Sequence, residues 1–359
     1  MEQRYLDTEN AVAKDTADQA YDLAELGWRP FYSAQVSAEE YLTCLPARVM
    51  AVHRGAVVVL GEGLDGTISS WIAGSSGVED RPTVGDWILV DRTSHELVRI
   101  LERMNLFKRL APGDARSVQL IAANVDTLFI VTSCNHDFSI ARLERYLVLA
   151  REAGVKPVVV LTKVDQAEDP ERFRERALAL QPGLEVELIN GRDPDSVAVL
   201  AARCRGGDTV ALVGSSGVGK STLINTLRGS DSIATQAIRE QDGKGRHTTT
   251  AREMHRLGSG IDGGGWLIDT PGMRELQLTD AAEGIAEVFD DLLALTLECR
   301  FTNCTHTAEP DCAVSAALAA GTLTSARLGR WRKLAAEETG NTGNIARRQG
   351  RAAKPKRRK

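Results

Sequence analysis

No stretch of this 359-residue chain stays apolar long enough to cross a bilayer, and its first residues are acidic and polar where a secretory signal is basic and then apolar. A membrane protein is therefore not expected, and the expected location is the cytoplasm. Aromatic residues make up only 5% of the chain, so a surface of interleaved stacking rings has little material to work with. Cysteine is sparse as well. Of six cysteines, Cys44, Cys134 and Cys204 are scattered through apolar or mixed segments, which speaks against a disulfide framework. The other three, Cys299, Cys304 and Cys312, crowd around His306, and that grouping points to a metal.

What is present suits a globular protein of several parts. Hydrophobic residues at 43% and charged residues at 26% are ordinary values, and 359 residues exceed what one compact core accommodates. The net charge of −5 conceals an asymmetry: eight basic side chains and no acidic one lie between Arg347 and Lys359. Such a tail does not fold alone and suits a polyanion such as ribosomal RNA, although a solubilising terminus has the same composition.

Five units follow along the chain. Residues 1–42 read as a peripheral arm with a helical stretch near Asp18–Leu26. Residues 43–112 hold five short strand-like runs, LPARVMAVHRG, AVVVL, GTISSWIAG, DWILVD and ELVRILER, separated by turn signals. Five short strands in so few residues predict a small β-barrel resembling the oligonucleotide-binding (OB) fold, with RNA binding and a purely structural role both open. Residues 113–278 alternate strand and helix: strands at VDTLFIVTS, KPVVVLTK, LEVELIN, TVALVG and WLIDT, helices after Ser139, Pro170, Pro194 and Lys220. That alternation predicts an α/β domain with a mainly parallel sheet, whose ligands bind at the carboxyl ends of the strands. Residues 279–340 predict helices at Asp280–Leu295 and Ala313–Glu338 around the cysteine cluster, and 341–359 a disordered basic tail.

The chemistry is concentrated in TVALVGSSGVGKSTLINTL, Thr209–Leu227, a buried strand, a glycine loop and a helix in immediate succession. Gly214, Gly219, Lys220 and Ser221 match G-x-x-x-x-G-K-[ST] in the context that motif requires. The small residues Gly214, Ser215, Ser216, Gly217 and Gly219, with Val218 and Thr222 beside them, let backbone N–H groups turn toward phosphate oxygens at a helix N-terminus. Lys220 is placed to reach the β- and γ-phosphates and Ser221 to ligate Mg²⁺. Thr162-Lys163-Val164-Asp165 ends a hydrophobic strand and looks like [NT]-K-x-D. A carboxylate at Asp165 accepts from both N1–H and the exocyclic amine of guanine, a pair that adenine lacks, and the Lys163 stem can lie over the ring. Asp269-Thr270-Pro271-Gly272 resembles DxxG, with Asp269 on Mg²⁺ through a water and the Gly272 N–H at the γ-phosphate. Gly245–Thr250, GRHTTT, sits where a switch loop supplies a threonine to Mg²⁺; Thr249 is preferred and Thr248 is the alternative.

These elements come in an unusual order, because the base-reading motif precedes the phosphate loop. A circular permutation explains this without altering the folded site. In the C-terminal unit, Cys299-x4-Cys304-x-His306-x5-Cys312 offers three thiolates and an imidazole, the donor set of one closed, structural Zn²⁺ site. The basic residues Arg330, Arg332 and Lys333 around Trp331 fit an RNA surface or a solvated amphipathic helix equally.

With barrel, permuted GTPase motifs, GRHTTT and zinc cluster together, residues from about Leu45 to Leu334 resemble the ribosome small-subunit-dependent GTPases, the RsgA/YjeQ family. The resemblance implies hydrolysis of GTP to GDP, stimulated by the small ribosomal subunit, in late maturation of that particle with rRNA binding, by a cytoplasmic protein expected to be a monomer. It departs from the family's pattern at Thr162, where asparagine is usual, and at Asn190-Gly191, where a Ser-Ala-like loop is expected. Met273 occupies the place where many GTPases carry a water-orienting glutamine. His247 then becomes the candidate catalytic group beside Lys220 and Thr249, matching the family's proposed histidine, with an RNA contact as its other reading. A nucleotide-gated RNA-binding assembly factor is the alternative function, and Asp165 disfavours a P-loop ATPase or kinase.

Overall fold

The structure is a computed structural model that describes residues 22–53, 55–70, 77, 80–110, 118–229, 252–257, 264–269 and 281–352, with only the backbone at 110, 252, 269 and 341–352. His247, Thr248, Thr249, Thr250, Gly272 and Met273 lie outside the described residues.

The parallel sheet is laid down by runs that are apolar on both faces. Strands β8 (Thr127–Ser133) and β11 (Thr209–Val213) are buried along their whole length, and β9 (Lys156–Thr162) is exposed only at its first residue. Because side chains alternate across a strand, each run feeds two cores. Phe129, Val131, Val158, Val160, Val210 and Leu212 pack on one side with Val197 and Leu200, whereas Leu128, Ile130, Val159, Leu161, Ala211 and Val213 pack on the other with Leu143 and Leu147. The covering helices begin where the sequence signals them. They are α3 (Ile140–Glu152), α4 (Pro170–Leu178), α5 (Pro194–Ala201) and α6 (Lys220–Arg228). Asp169 and Asp193 cap α4 and α5 through backbone N–H groups, with proline at the first helical position in both. With β10 (Glu185–Ile189), β12 (Arg252–Arg256) and β13 (Trp266–Asp269), the sheet runs β10-β9-β8-β11-β13-β12, all parallel except β12.

The sheet does not end at β12. Ala51 and Val52 of β1 (Cys44–His53) pair antiparallel with Glu253 and Arg252, so the N-terminal strands continue the same sheet. On β1 sit β2 (Ala56–Gly61) and β3 (Leu64–Ser69) to one side and β4 (Trp87–Asp91) and β5 (Leu97–Ile100) to the other. Side chains from all five converge on one small core, among them Val49, Val59, Ile68, Val90 and Leu97. Five strands are present as the sequence predicts, but among the described residues no β3–β5 ladder closes them into the expected OB-like barrel. A hairpin of β6 (Leu106–Leu110) and β7 (Val118–Ala123), which strand spacing does not predict, leads into β8.

The N-terminal segment is a wedge where a peripheral arm was expected. Arg29 holds Asp126 through two hydrogen bonds, at 2.5 and 2.9 Å, and reaches Asp208 at 2.8 Å, while the Trp266 indole donates to the Glu25 carbonyl. Leu26 and Tyr32 are buried, and short helices α1 (Pro30–Ser33) and α2 (Ala38–Thr43) lead into β1. Beneath them Arg48 donates to the carbonyls of Leu26 and Asn124 and to the Thr209 hydroxyl. Burial draws its guanidinium down to about 10.

At the other end the expected Asp280–Leu295 helix is two, α7 (Ala282–Val288) and α8 (Asp290–Leu297), and Ala313–Glu338 is broken at Gly321 into α9 (Ala313–Ala320) and α10 (Ser325–Ala352). Gly321 takes φ 75°, the left-handed stop that glycine adopts without strain. The expected disordered tail from 341 is corrected in part: α10 continues to Ala352, since no proline interrupts it before Pro355. The fully buried Glu144 carboxylate on α3 receives Arg327 at 3.0 Å and Arg330 at 2.5 Å, and Arg145 and Glu337 pair beside it at 2.6 Å. Arg332 donates to the His306 carbonyl at 2.7 Å. Arg330 is thus committed to a buried carboxylate of its own chain, while Arg332 stays exposed with its guanidinium on backbone carbonyls.

Glu144→Ala leaves two half-buried guanidiniums without their shared acceptor, and we expect a loss of about 3 kcal/mol in urea unfolding. Unchanged stability would show that the pairs are incidental to docking.

Candidate nucleotide site and metal centre

The registers decide which loops meet. Ser133 pairs with Thr162, Thr162 with Ile189, Val213 with Ile130, and Ala211 with Ile268, so the carboxyl ends of β10, β9, β8, β11 and β13 form one rim. The loops after β9, β10 and β11 leave from that rim, as does Asp269, the last residue of β13; its side chain lies outside the described residues. By strand spacing β9 stands two strands, about 10 Å, from β11, and β13 one strand, about 5 Å, on the far side.

Close approach of backbones explains the glycines. At Gly214 φ is 149°, and a Cβ there would lie 2.2 Å from the Val131 carbonyl oxygen, so the chain leaves β11 through a space that only hydrogen fits. Gly219, at φ 96°, caps α6 and lies against Thr162, whose hydroxyl oxygen would be 3.5 Å from an added Cβ. Lys220 turns back over the loop and its ammonium donates to the carbonyls of Gly214, at 2.7 Å, and Ser215. Ser221 and Thr222 are half-buried in the first turn of α6, Val218 is buried, and Ser216 and Gly217 are exposed.

In the TKVD segment, Lys163 adopts a left-handed φ of 58° and Val164–Gln166 form a 3₁₀ turn that presents Asp165 to solvent. This arrangement leaves the carboxylate exposed at the carboxyl end of β9. Thr162 does otherwise. Its hydroxyl is buried, 2.5 Å from the Val218 carbonyl and 3.2 Å from that of Thr132, so it faces the phosphate loop and the sheet. The Asn190-Gly191 loop is drawn to α6, where the Thr226 hydroxyl donates to the Gly191 carbonyl at 2.7 Å. Neither contact has a motif signature, because a threonine two turns into a helix looks like any other.

The second cluster is compact. Ligand atoms of Cys299, Cys304, His306 and Cys312 all lie within 4.8 Å of one another. The sulfurs of Cys299 and Cys312 are 3.9 Å apart, and His306 Nδ1 is 3.5 and 3.6 Å from them. A tetrahedral Zn²⁺ with Zn–S of about 2.3 Å and Zn–N of about 2.0 Å requires S···S near 3.8 Å and S···N near 3.5 Å. The observed spacings fit. Supporting contacts set the donors: the Ser315 N–H reaches Cys312 Sγ at 3.4 Å from the start of α9, and Glu309 accepts from the N–H groups of Thr305, Thr307 and Ala308. Burial opposes ionisation of Cys312, but the hydrogen bonds from Ser315 and His306 outweigh it and bring the thiol down to about 6.

A sequence model described as the RsgA GTPase matches residues 100–279. The small ribosomal subunit biogenesis GTPase RsgA of Mesorhizobium japonicum is 52% identical over 323 residues, covering 89% of this chain and 91% of its own. The chain belongs to the RsgA GTPase family. A second relative, small ribosomal subunit biogenesis GTPase RsgA 2 of Vibrio parahaemolyticus, is 45% identical over 90% of this chain and 88% of its own. Among solved structures, YloQ, a circularly permuted GTPase, aligns with TM-score 0.53 and 25% identity over 81% of this chain and 93% of its own. YjeQ from Thermotoga maritima aligns with TM-score 0.58 and 22% identity over 81% of this chain and 97% of its own, a likeness of fold. As an RsgA GTPase the chain is a GTP hydrolase, its permuted order is the family's, and Mg²⁺ accompanies its GTP.

The Cys₃His group predicts one tightly held zinc. Cys312→Ser should lower the metal content of the purified protein below one ion per chain and lower its melting temperature by several degrees, on the order of the loss of one structural site. Full zinc retention, measured by atomic emission, would remove Cys312 from the ligand set.

Proposed function

We propose that this RsgA GTPase hydrolyses GTP on the small ribosomal subunit during late maturation of that particle, with its outer units gripping ribosomal RNA in one nucleotide state and releasing it in the other. The observation that supports this most is the common rim: the TKVD turn, the phosphate loop and the end of β13 leave β9, β11 and β13 of one parallel sheet in the same direction. Asp165 reads guanine through its two donors, and the Lys163 stem covers the ring. N–H groups of Gly214, Ser215, Ser216, Gly217, Val218 and Gly219 cradle the phosphates with Thr222, and Lys220 exchanges its loop carbonyls for the β- and γ-oxygens. Ser221, Asp269 and Thr249 hold Mg²⁺, which neutralises charge on the phosphates, and the Gly272 N–H meets the γ-phosphate. His247 orients the attacking water in place of the side chain that Met273 cannot supply.

The four metal ligands take one structural Zn²⁺, whose charge and geometry staple a module with little core of its own. The basic run Arg347–Lys359 contacts RNA, where phosphate contacts make binding salt-dependent.

Turnover should rise by roughly a thousandfold or more when small subunits are added, the scale on which trans-acting groups complete GTPase sites. No stimulation favours the rival, an RNA-binding assembly factor for which hydrolysis is incidental. Asp165→Asn tests base reading independently: the amide donates where xanthine carries an oxygen, so preference should move from GTP toward xanthosine triphosphate. An unchanged preference takes Asp165 out of the base pocket.

A further inference from the structure

His306, one of the four donors of the metal centre, holds a backbone conformation that its residue type avoids: its φ is 59°, in the left-handed region where a side chain is strained. Such a conformation persists where its surroundings over-determine it. Here all four backbone polar groups around the imidazole are bonded. The His306 N–H reaches the Cys304 sulfur. The Thr307 N–H donates to Glu309 Oε2 at 2.9 Å, beside that of Ala308 at 3.1 Å, and the other carboxylate oxygen, Oε1, accepts the Thr305 N–H at 2.8 Å and the Thr305 hydroxyl at 2.5 Å. The two carbonyls go elsewhere. Arg332 Nη2 donates to that of His306 at 2.7 Å and to that of Thr305 at 3.3 Å.

Glu309 is half-buried and Arg332 exposed, and neither is a metal ligand. Between them they divide the loop by chemistry, the carboxylate taking N–H groups and the guanidinium taking carbonyls. Arg332 stands 26 positions beyond His306 on α10, and its neighbour Trp331 places its ring 6.2 Å from the imidazole, so a second element fixes the loop as well as the loop itself. We infer that Glu309 and Arg332 are positioning residues for the metal: together they hold the Thr305–Thr307 backbone in the shape that turns His306 Nδ1 toward the thiolates, so the loop is set before zinc arrives and gives it up reluctantly. Contacts of this kind, one shell beyond the ligands, orient the donors and carry much of a site's affinity. The inference rests on the zinc reading above.

The test is competition for zinc between the full-length protein and a chromogenic chelator. Arg332→Ala and Glu309→Ala should each surrender the metal at roughly ten- to a hundredfold lower chelator concentration. Arg332→Lys keeps a donor for the His306 carbonyl and Glu309→Gln keeps an acceptor oxygen, so both should recover part of that retention. Lys333→Ala, one position along α10 and exposed, should hold zinc as the parent does. With Co²⁺ in place of zinc, the two alanine variants should keep the visible absorption of a tetrahedral thiolate site, because all four donors remain. Retention equal to the parent's in Arg332→Ala overturns the inference for Arg332, and in Glu309→Ala for Glu309. Loss of the tetrahedral Co²⁺ spectrum overturns it as well, since the donor set itself would then have changed, and so does equal weakening in Lys333→Ala, which would reduce the effect to charge. Arg332 is exposed on a helix, so Arg332→Ala decides the question even should Glu309→Ala fail to fold. Failure of the zinc reading shows itself differently: the parent protein would carry no zinc for the chelator to take.

Discussion

Everything at the rim depends on the parallel ladders that seat β11 between β8 and β13. Val210 to Val213 pair with Thr127 to Ile130 on one side, and Thr209 to Ala211 with Trp266 to Ile268 on the other. Parallel pairing places carboxyl ends together whatever the distance along the chain. Asp165 and Gly214, about fifty residues apart in the chain, thereby follow strands that end on one side of the sheet, β9 and β11, with only β8 between them. Cutting and rejoining the chain elsewhere leaves these pairings intact, which is why permutation costs the site nothing. What it changes is the attachment: β13 runs on toward α7 and the zinc module, where Gly284 of α7 lies so close to α3 that an added Cβ would stand 2.5 Å from the Val148 carbonyl.

A second consequence comes from the junction of β1 with β12. Thr250, the last residue of GRHTTT, is two positions before β12, and β12 pairs with β13 on one flank and with β1 on the other. The five-stranded N-terminal unit is thus hydrogen-bonded to β12 and, through Arg48, to Thr209, the first residue of β11. A linker between independent domains has neither link. The five-stranded unit is joined to the parallel sheet as a neighbouring strand is, through backbone.

Much of this was readable in the residues, and the reason is local chemistry. Fully apolar runs, Asp-Pro helix starts and the G-x-x-x-x-G-K-S loop are enforced over a few residues, so β8, β9, β11, α4, α5 and α6 lie where the sequence places them. The Cys₃His group is equally legible, because four donors within fourteen residues leave few alternatives. What escaped was long-range. Arg29 finds Asp126 and Asp208 across 97 and 179 positions, and Glu144 finds Arg327 and Arg330 across more than 180. An isolated basic residue does not say whether it meets a carboxylate of its own chain or a phosphate of another, and so Arg330 looked available when it is committed to Glu144. The β1–β12 pairing escaped for a related reason: a strand edge carries no side-chain label for its partner.

The two ends of the sheet are held by different forces, and the difference suits a switch. At the amino ends of β8 and β11, Asp126 joins Arg29 to the Thr209 N–H, and Arg48 joins Thr209 to the Leu26 carbonyl, a charged and mostly buried net. Removing any member leaves another unpaired in a low dielectric, so that end has one arrangement. At the carboxyl ends the contacts are single hydroxyls, glycine backbones and a lysine resting on carbonyls, each worth about 1 kcal/mol net. Bonds of that size form and break within the free energy that one nucleotide contact supplies. The amino ends of the strands are thus held by charged groups and the carboxyl ends by weaker neutral contacts, and it is at the weaker end that the motifs lie.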